Sequence, residues 1–65
     1  MALADKVIET VQRWPGISDR ELSQSIFGTR HRVQQLNGEC RHLENCGRII
    51  RRKEGAQPIG NFPIR

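Results

Sequence analysis

The chain has 65 residues, with 11 basic against 7 acidic side chains and a mean hydropathy of −0.64. A domain this short buries only about 60% of the surface its unfolded chain exposes, so one domain is the ceiling. There is no apolar run long enough to span a bilayer and little room for an enclosed catalytic pocket. The charge is uneven. Residues 1–28 carry three basic against four acidic side chains, while residues 29–65 carry eight against three, and seven of those eight are arginine. An arginine-rich half points to an anionic partner, because the guanidinium fork suits phosphate and the guanine edge better than an ammonium does.

The first predicted helix spans about residues 3–14. Leu3, Val7, Ile8, Val11 and Trp14 fall at helical spacing on one face, with Asp5, Glu9, Gln12 and Arg13 facing away. Pro15 and Gly16 then end it. A second helix is expected over 19–27, because Ser18 followed by Glu21 matches a capping box. Ile17 stands where it can staple onto that helix, Leu22 and Ile26 form its inner face, and Gly28 stops it. A third helix is expected over 30–46, with Thr29 as its candidate cap and Gly47 at its end. Its buried stripe is Val33, Leu36, Cys40 and Leu43.

After Gly47 come the β-branched pair Ile49 and Ile50, a turn-prone segment from Glu54 to Pro58, and a second extended piece from Ile59 to Ile64. They predict a short antiparallel hairpin over about 48–64, with Pro58 and Pro63 at an edge or strand end. The expected fold is mainly α with a small β-hairpin, one unit over residues 1–65. Cys40 and Cys46 lie six apart on one helix, about 120° and roughly 9 Å from each other, which forbids a disulfide between them. With no cysteine framework and no signal-peptide pattern, a reduced, cytoplasmic protein is expected. Of the zinc-type ligands His31, Cys40, His42 and Cys46, only His42 and Cys46 share a face, so neither metal nor cofactor is expected.

Three short helices, the tight Phe27-Gly28-Thr29 connection and a basic hairpin resemble the winged helix-turn-helix family of DNA-binding domains. The most telling stretch is PGISDRELSQSIFGTRHRVQQLNGECRHLENCGRIIRR. The resemblance implies a three-helix winged helix-turn-helix fold, double-stranded DNA as partner, a third helix that enters the major groove, and a role in transcriptional regulation or in targeting a larger DNA-acting protein. The family includes Z-DNA-binding domains, and Pro58 to Phe62 is similar to their proline-aromatic wing, with Asn37 where they keep an asparagine. Arg41 stands in place of their third-helix tyrosine and the chain has no tyrosine, so the resemblance implies right-handed duplex.

A recognition helix must carry polar and basic residues opposite its core stripe. In helical phase, His31, Gln34, Gln35, Gly38, Arg41, His42 and Asn45 gather there, and the acidic Glu39 and Glu44 fall nearer the flanks. Gly38 inside the helix costs about 1 kcal/mol against alanine, which points either to close packing against a neighbour or to close approach of a DNA backbone. By the family's behaviour, Arg30, His31, Gln34 and Gln35 reach base edges, glutamine suiting adenine and arginine suiting guanine. Arg32, Gly38, Arg41 and His42 extend that surface. Arg48, Arg51, Arg52 and Lys53 are expected to meet phosphate or the minor groove from the wing, continuous with the helix as one positive ridge.

Catalysis is not expected: Ser18 and Glu21 form a cap, and no acid is placed to orient His31 or His42. Neither a membrane nor a small-molecule substrate is expected as partner. The alternative is a protein-interaction module on the same scaffold, and a homodimer or a larger protein partner is compatible with either reading. RNA is disfavoured, because Trp14 and Phe27 are assigned to the core and leave no platform for stacked bases.

Overall fold

The apolar stripe of the N-terminal segment folds Leu3–Arg13 into helix α1, which buries Val7 and Val11 completely. The computed structural model describes residues 2–64. After α1 come strand β1 (Ile17–Ser18), helix α2 (Asp19–Phe27), a 3-10 turn (Arg30–Arg32), helix α3 (Val33–Asn45) and strands β2 (Ile49–Arg52) and β3 (Gly60–Pro63). The fold is mainly α with a small sheet, arranged as a three-helix winged helix-turn-helix.

α1 ends one residue before its expected limit, and Trp14 leaves the helical phase. The ring of the following proline disfavours helical geometry at the residue before it, and Trp14 adopts φ −130°, ψ 73°. Its side chain is 60% exposed, which corrects the assignment of Trp14 to the core. Ile17, expected to staple onto α2, is buried as part of a two-residue strand paired to Asn61. The capping box of α2 forms in full: the Glu21 N–H donates to Ser18 Oγ at 3.2 Å and the Ser18 N–H to Glu21 Oε1 at 3.1 Å. Gly28 closes α2 in the left-handed region at φ 73°, a conformation with no steric cost for glycine.

The connection to α3 differs from a simple cap. The Thr29 hydroxyl accepts from the His31 N–H at 3.2 Å, and Arg32 lies off helical geometry at φ −102°, ψ 21°. Residues 30–32 therefore wind as a 3-10 turn and α-helix proper begins at Val33. The buried Ser23 hydroxyl donates to the Thr29 carbonyl, fixing this turn to α2. At the far end, the Gly47 N–H donates to the Glu44 carbonyl and the Arg48 N–H to the Leu43 carbonyl. Both bonds define a Schellman stop with Gly47 at φ 71°.

The core joins Val7, Val11, Ile17, Leu22, Leu36, Cys40, Leu43 and Ile49, with Leu3, Ala4, Ile8, Ile26 and Phe27 packed against it. Val33, expected in the buried stripe, is only half-buried because it heads the helix at the margin of the core. The hairpin pairs Ile49 with Pro63 and Arg52 with Gly60, and β3 is the middle strand in the order β1-β3-β2. Gly60 owes its identity to a close approach: a Cβ there would lie 2.8 Å from the Gly16 carbonyl oxygen. No helix among the described residues is long and apolar enough to cross a membrane.

Candidate nucleic-acid interface

The face of α3 opposite Leu36, Cys40 and Leu43 is open. Gln34, Gln35, Gly38, Arg41, His42 and Asn45 are all exposed, as are Arg30, His31 and Arg32 in the preceding turn. Nothing lies within 4 Å of where a Gly38 Cβ would stand. Packing inside the chain therefore does not account for this glycine. Glu39 is half-buried and Glu44 is exposed. Arg32 is steadied by the ring of Phe27, with its guanidinium carbon 5.1 Å from the centroid, a cation–π placement that limits the freedom of the side chain.

The four basic residues expected to serve the wing do not act as one group. β-Strand alternation sends neighbouring side chains to opposite faces, and with Ile49 buried in the core, Arg51 also turns inward. Its side chain is 6% exposed and pairs with the Asp19 carboxylate at 2.9 Å. This corrects its expected place on the phosphate-facing ridge, because its charge is neutralised within the fold. Arg52 projects from the other face, over the ring of Phe62 at 5.8 Å, and Phe62 itself lies against Gly16. The single continuous ridge is thus corrected as well: Arg52 stands on the side of the sheet turned away from α3. Arg48 and Lys53, just outside the two ends of β2, are exposed.

Arg51 belongs to a polar cluster that sequence reasoning missed. Asp19 Oδ1 accepts from Arg51 at 2.9 Å and from Asn61 Nδ2 at 2.9 Å, while Oδ2 accepts from Arg51 at 3.1 Å and from Asn37 Nδ2 at 2.9 Å. Asn61, fully buried, also accepts from Arg51 at 3.0 Å and donates to the Ile17 carbonyl at 2.9 Å. Burial alone would raise the Asp19 pKa, but the hydrogen bonds from Arg51, Asn61 and Asn37 and the guanidinium charge outweigh it and hold the carboxyl below its ordinary value. The signal available in sequence was the inward phase of Ile49, which carries Arg51 with it. Its partner, 32 positions away, had no local mark.

Beside this cluster a groove of about 350 Å³ separates α3 from the wing, lined by Ser18, Asp19, Arg20, Val33, Asn37, Arg51, Pro58 and Ile59. Arg20, exposed at the start of α2, was not anticipated because it lies in the acidic half of the chain. Among the described residues no three histidine, cysteine or carboxylate side chains converge as metal ligands. His42 Nε2 and Cys46 Sγ lie 3.7 Å apart on the exposed end of α3. The Cys40 thiol is pushed up to about 12 by burial and by the nearby Asp19 charge, which keeps it from acting as a thiolate nucleophile at neutral pH. Comparison with known protein families, with curated proteins and with solved structures finds no match to this chain.

Proposed function

We propose that this protein binds duplex DNA as a winged helix-turn-helix, presenting the outer face of α3 to the major groove. It acts by binding rather than by catalysis, in transcriptional regulation or in directing a larger DNA-acting protein. The observation that carries this reading is the open face of α3. It is polar and carries Arg41, with Arg30 and Arg32 in the turn that leads into it, and it has at its centre a glycine that no packing in the fold requires. Arg30, His31, Gln34 and Gln35 lie at the leading end, where side chains of a helix docked end-first reach base edges. Exposed Arg20, in the groove beside α3, and exposed Arg48 and Lys53, just outside the two ends of β2, suit backbone phosphates, which fix position without reading sequence.

The test is fluorescence anisotropy with a mixed-sequence duplex over a series of salt concentrations. Wild-type affinity should fall linearly on a log–log plot, and replacing Arg30 and Arg41 together by alanine should flatten the slope by about 0.9 for each phosphate no longer neutralised. Arg51→Gln should leave the slope of the folded protein nearly unchanged, since that charge is already paired with Asp19. An unaltered affinity and an unaltered slope together in the Arg30/Arg41 variant would remove the turn and α3 from the interface.

One observation favours a protein-binding role on a different surface. Trp14 is 60% exposed, and Ile50 and Ile64 are exposed at 36% and 43%. Trp14 borders a groove of about 450 Å³ with Arg13, Pro15, Glu21 and Ser25. If that surface were the functional one, Trp14→Ala would abolish partner capture while the Arg30/Arg41 variant left it intact.

A further inference from the structure

The Asp19 cluster joins four elements of the molecule through one carboxylate. Asp19 opens α2, Asn37 comes from α3, Arg51 from β2 and Asn61 from β3, and all four hydrogen bonds to the carboxylate are between 2.9 and 3.1 Å. No buried side-chain nitrogen or oxygen among the described residues lacks a partner, so the cluster is complete without a ligand. A buried ion pair is a weak source of net stability, since removing two charges from water offsets most of their attraction. What it supplies is direction: hydrogen bonds hold an angle, whereas apolar packing does not.

We propose that Asp19 is the joint that sets the angle between α3 and the wing, and that Asn37 and Arg51 are positioning residues that do not themselves touch the bound partner. α3 and the hairpin have only short elements to hold them in register, β2 and β3 being four residues each. Asn37 sits on the flank of α3 that faces the groove, half-buried, with its amide committed to Asp19. Its removal takes away the amide bond from α3 to the carboxylate, leaves the Asp19, Arg51 and Asn61 side chains bonded to one another, and leaves α3 tied to β2 by apolar packing in the core that Leu36, Cys40 and Leu43 share with Ile49. The helix face and the wing loop, residues 53–59, are then less tightly fixed relative to each other. The binding consequence rests on the duplex-binding reading above; the joint itself does not.

The experiment compares wild type with Asn37→Ala, because Asp19→Ala strands a buried guanidinium and threatens the fold itself. Two readouts are needed: duplex affinity across salt concentrations, and NMR relaxation dispersion of wing amides in the free protein. Asn37→Ala should weaken binding by about three- to tenfold, part of the value of one hydrogen bond to a charged group. It should leave the salt slope unchanged, because it takes away no phosphate-binding cation, and should add microsecond-to-millisecond exchange at residues 53–59. A purely structural role would lower the melting temperature without altering affinity of the folded protein. That result, a slope reduced by about 0.9, or wing amides as quiet as in wild type would each overturn the proposal. If wild type shows no salt-dependent duplex binding, the DNA reading fails by itself, and the wing relaxation of the free variant then decides the joint.

Discussion

Gly38 permits a test in which stability and binding should move in opposite directions. It lies in the interior of α3, where glycine is less favourable than alanine by about 1 kcal/mol. Its backbone is not in the left-handed region, and a Cβ there would meet nothing within 4 Å. Gly38→Ala therefore recovers nearly the full propensity difference, which in a domain of this size corresponds to a rise in melting temperature of about 4–8 °C. If a DNA backbone approaches α3 at this point, the added methyl pushes it out or forces side chains aside, at about 1–3 kcal/mol by analogy with overpacking in cores. Affinity should then fall by about tenfold, taking the lower part of that range. Thermal melting by circular dichroism and anisotropy titration against the same duplex give both numbers on one sample. A stabilised variant that binds as tightly as wild type would refute the close-approach argument. A destabilised variant would refute the claim that the fold does not need this glycine.

Gly60→Ala should destabilise the protein by about 1–3 kcal/mol, because its methyl would press on the Gly16 carbonyl, with only 2.8 Å between Cβ and oxygen; urea midpoints measure this, and an unchanged midpoint would show that the turn yields freely. The Asp19 carboxyl, held low by its hydrogen bonds and Arg51, binds fewer protons folded than unfolded at acid pH. Its stabilisation is complete above the ordinary aspartate pKa near 3.9 and is lost as pH falls through the lower folded value. Carbon-detected NMR titration should place its midpoint below 3.9, and a midpoint at or above it would contradict the pairing. The two thiols should separate cleanly: a disulfide reagent at pH 8 should modify the exposed Cys46 at once and the buried Cys40 only on unfolding. Cys46→Ser should then abolish the fast phase, and two fast equivalents would show Cys40 to be accessible.

Local patterns carried most of the fold. The capping box at Ser18 and Glu21, the stops at Gly28 and Gly47, and the outward set from Gln34 to Asn45 depend on neighbours within a few positions, where spacing and side-chain type decide the outcome. Trp14 escaped because its helical phase was extrapolated one residue too far, up to a proline that bends the chain before the side chain can turn inward. β1 escaped because two residues carry no periodicity; their pairing comes from Asn61 and Gly60, more than forty positions away. Arg51 is the instructive case, since composition placed it with its basic neighbours while strand alternation placed it with Ile49.

That difference matters for how positive charge is counted on a small basic domain. Of the four cations clustered around β2, one is spent internally on Asp19 and one lies across the sheet from α3, so net charge overstates what a single partner meets. The remaining positive charge near α3 comes from Arg30 and Arg32 on the 3-10 turn, Arg41 on α3 itself, and Arg48 and Lys53 at the two ends of β2, around a helix face held in register with the wing by a neutralised pair. A buried guanidinium and an exposed one thus serve the same surface by different means. The exposed group supplies attraction that salt screens, whereas the buried group supplies geometry that salt leaves largely untouched. Mutations at the two kinds of arginine should therefore separate on the salt axis even where they cost equal affinity at one concentration, and a single-condition binding assay would miss the distinction.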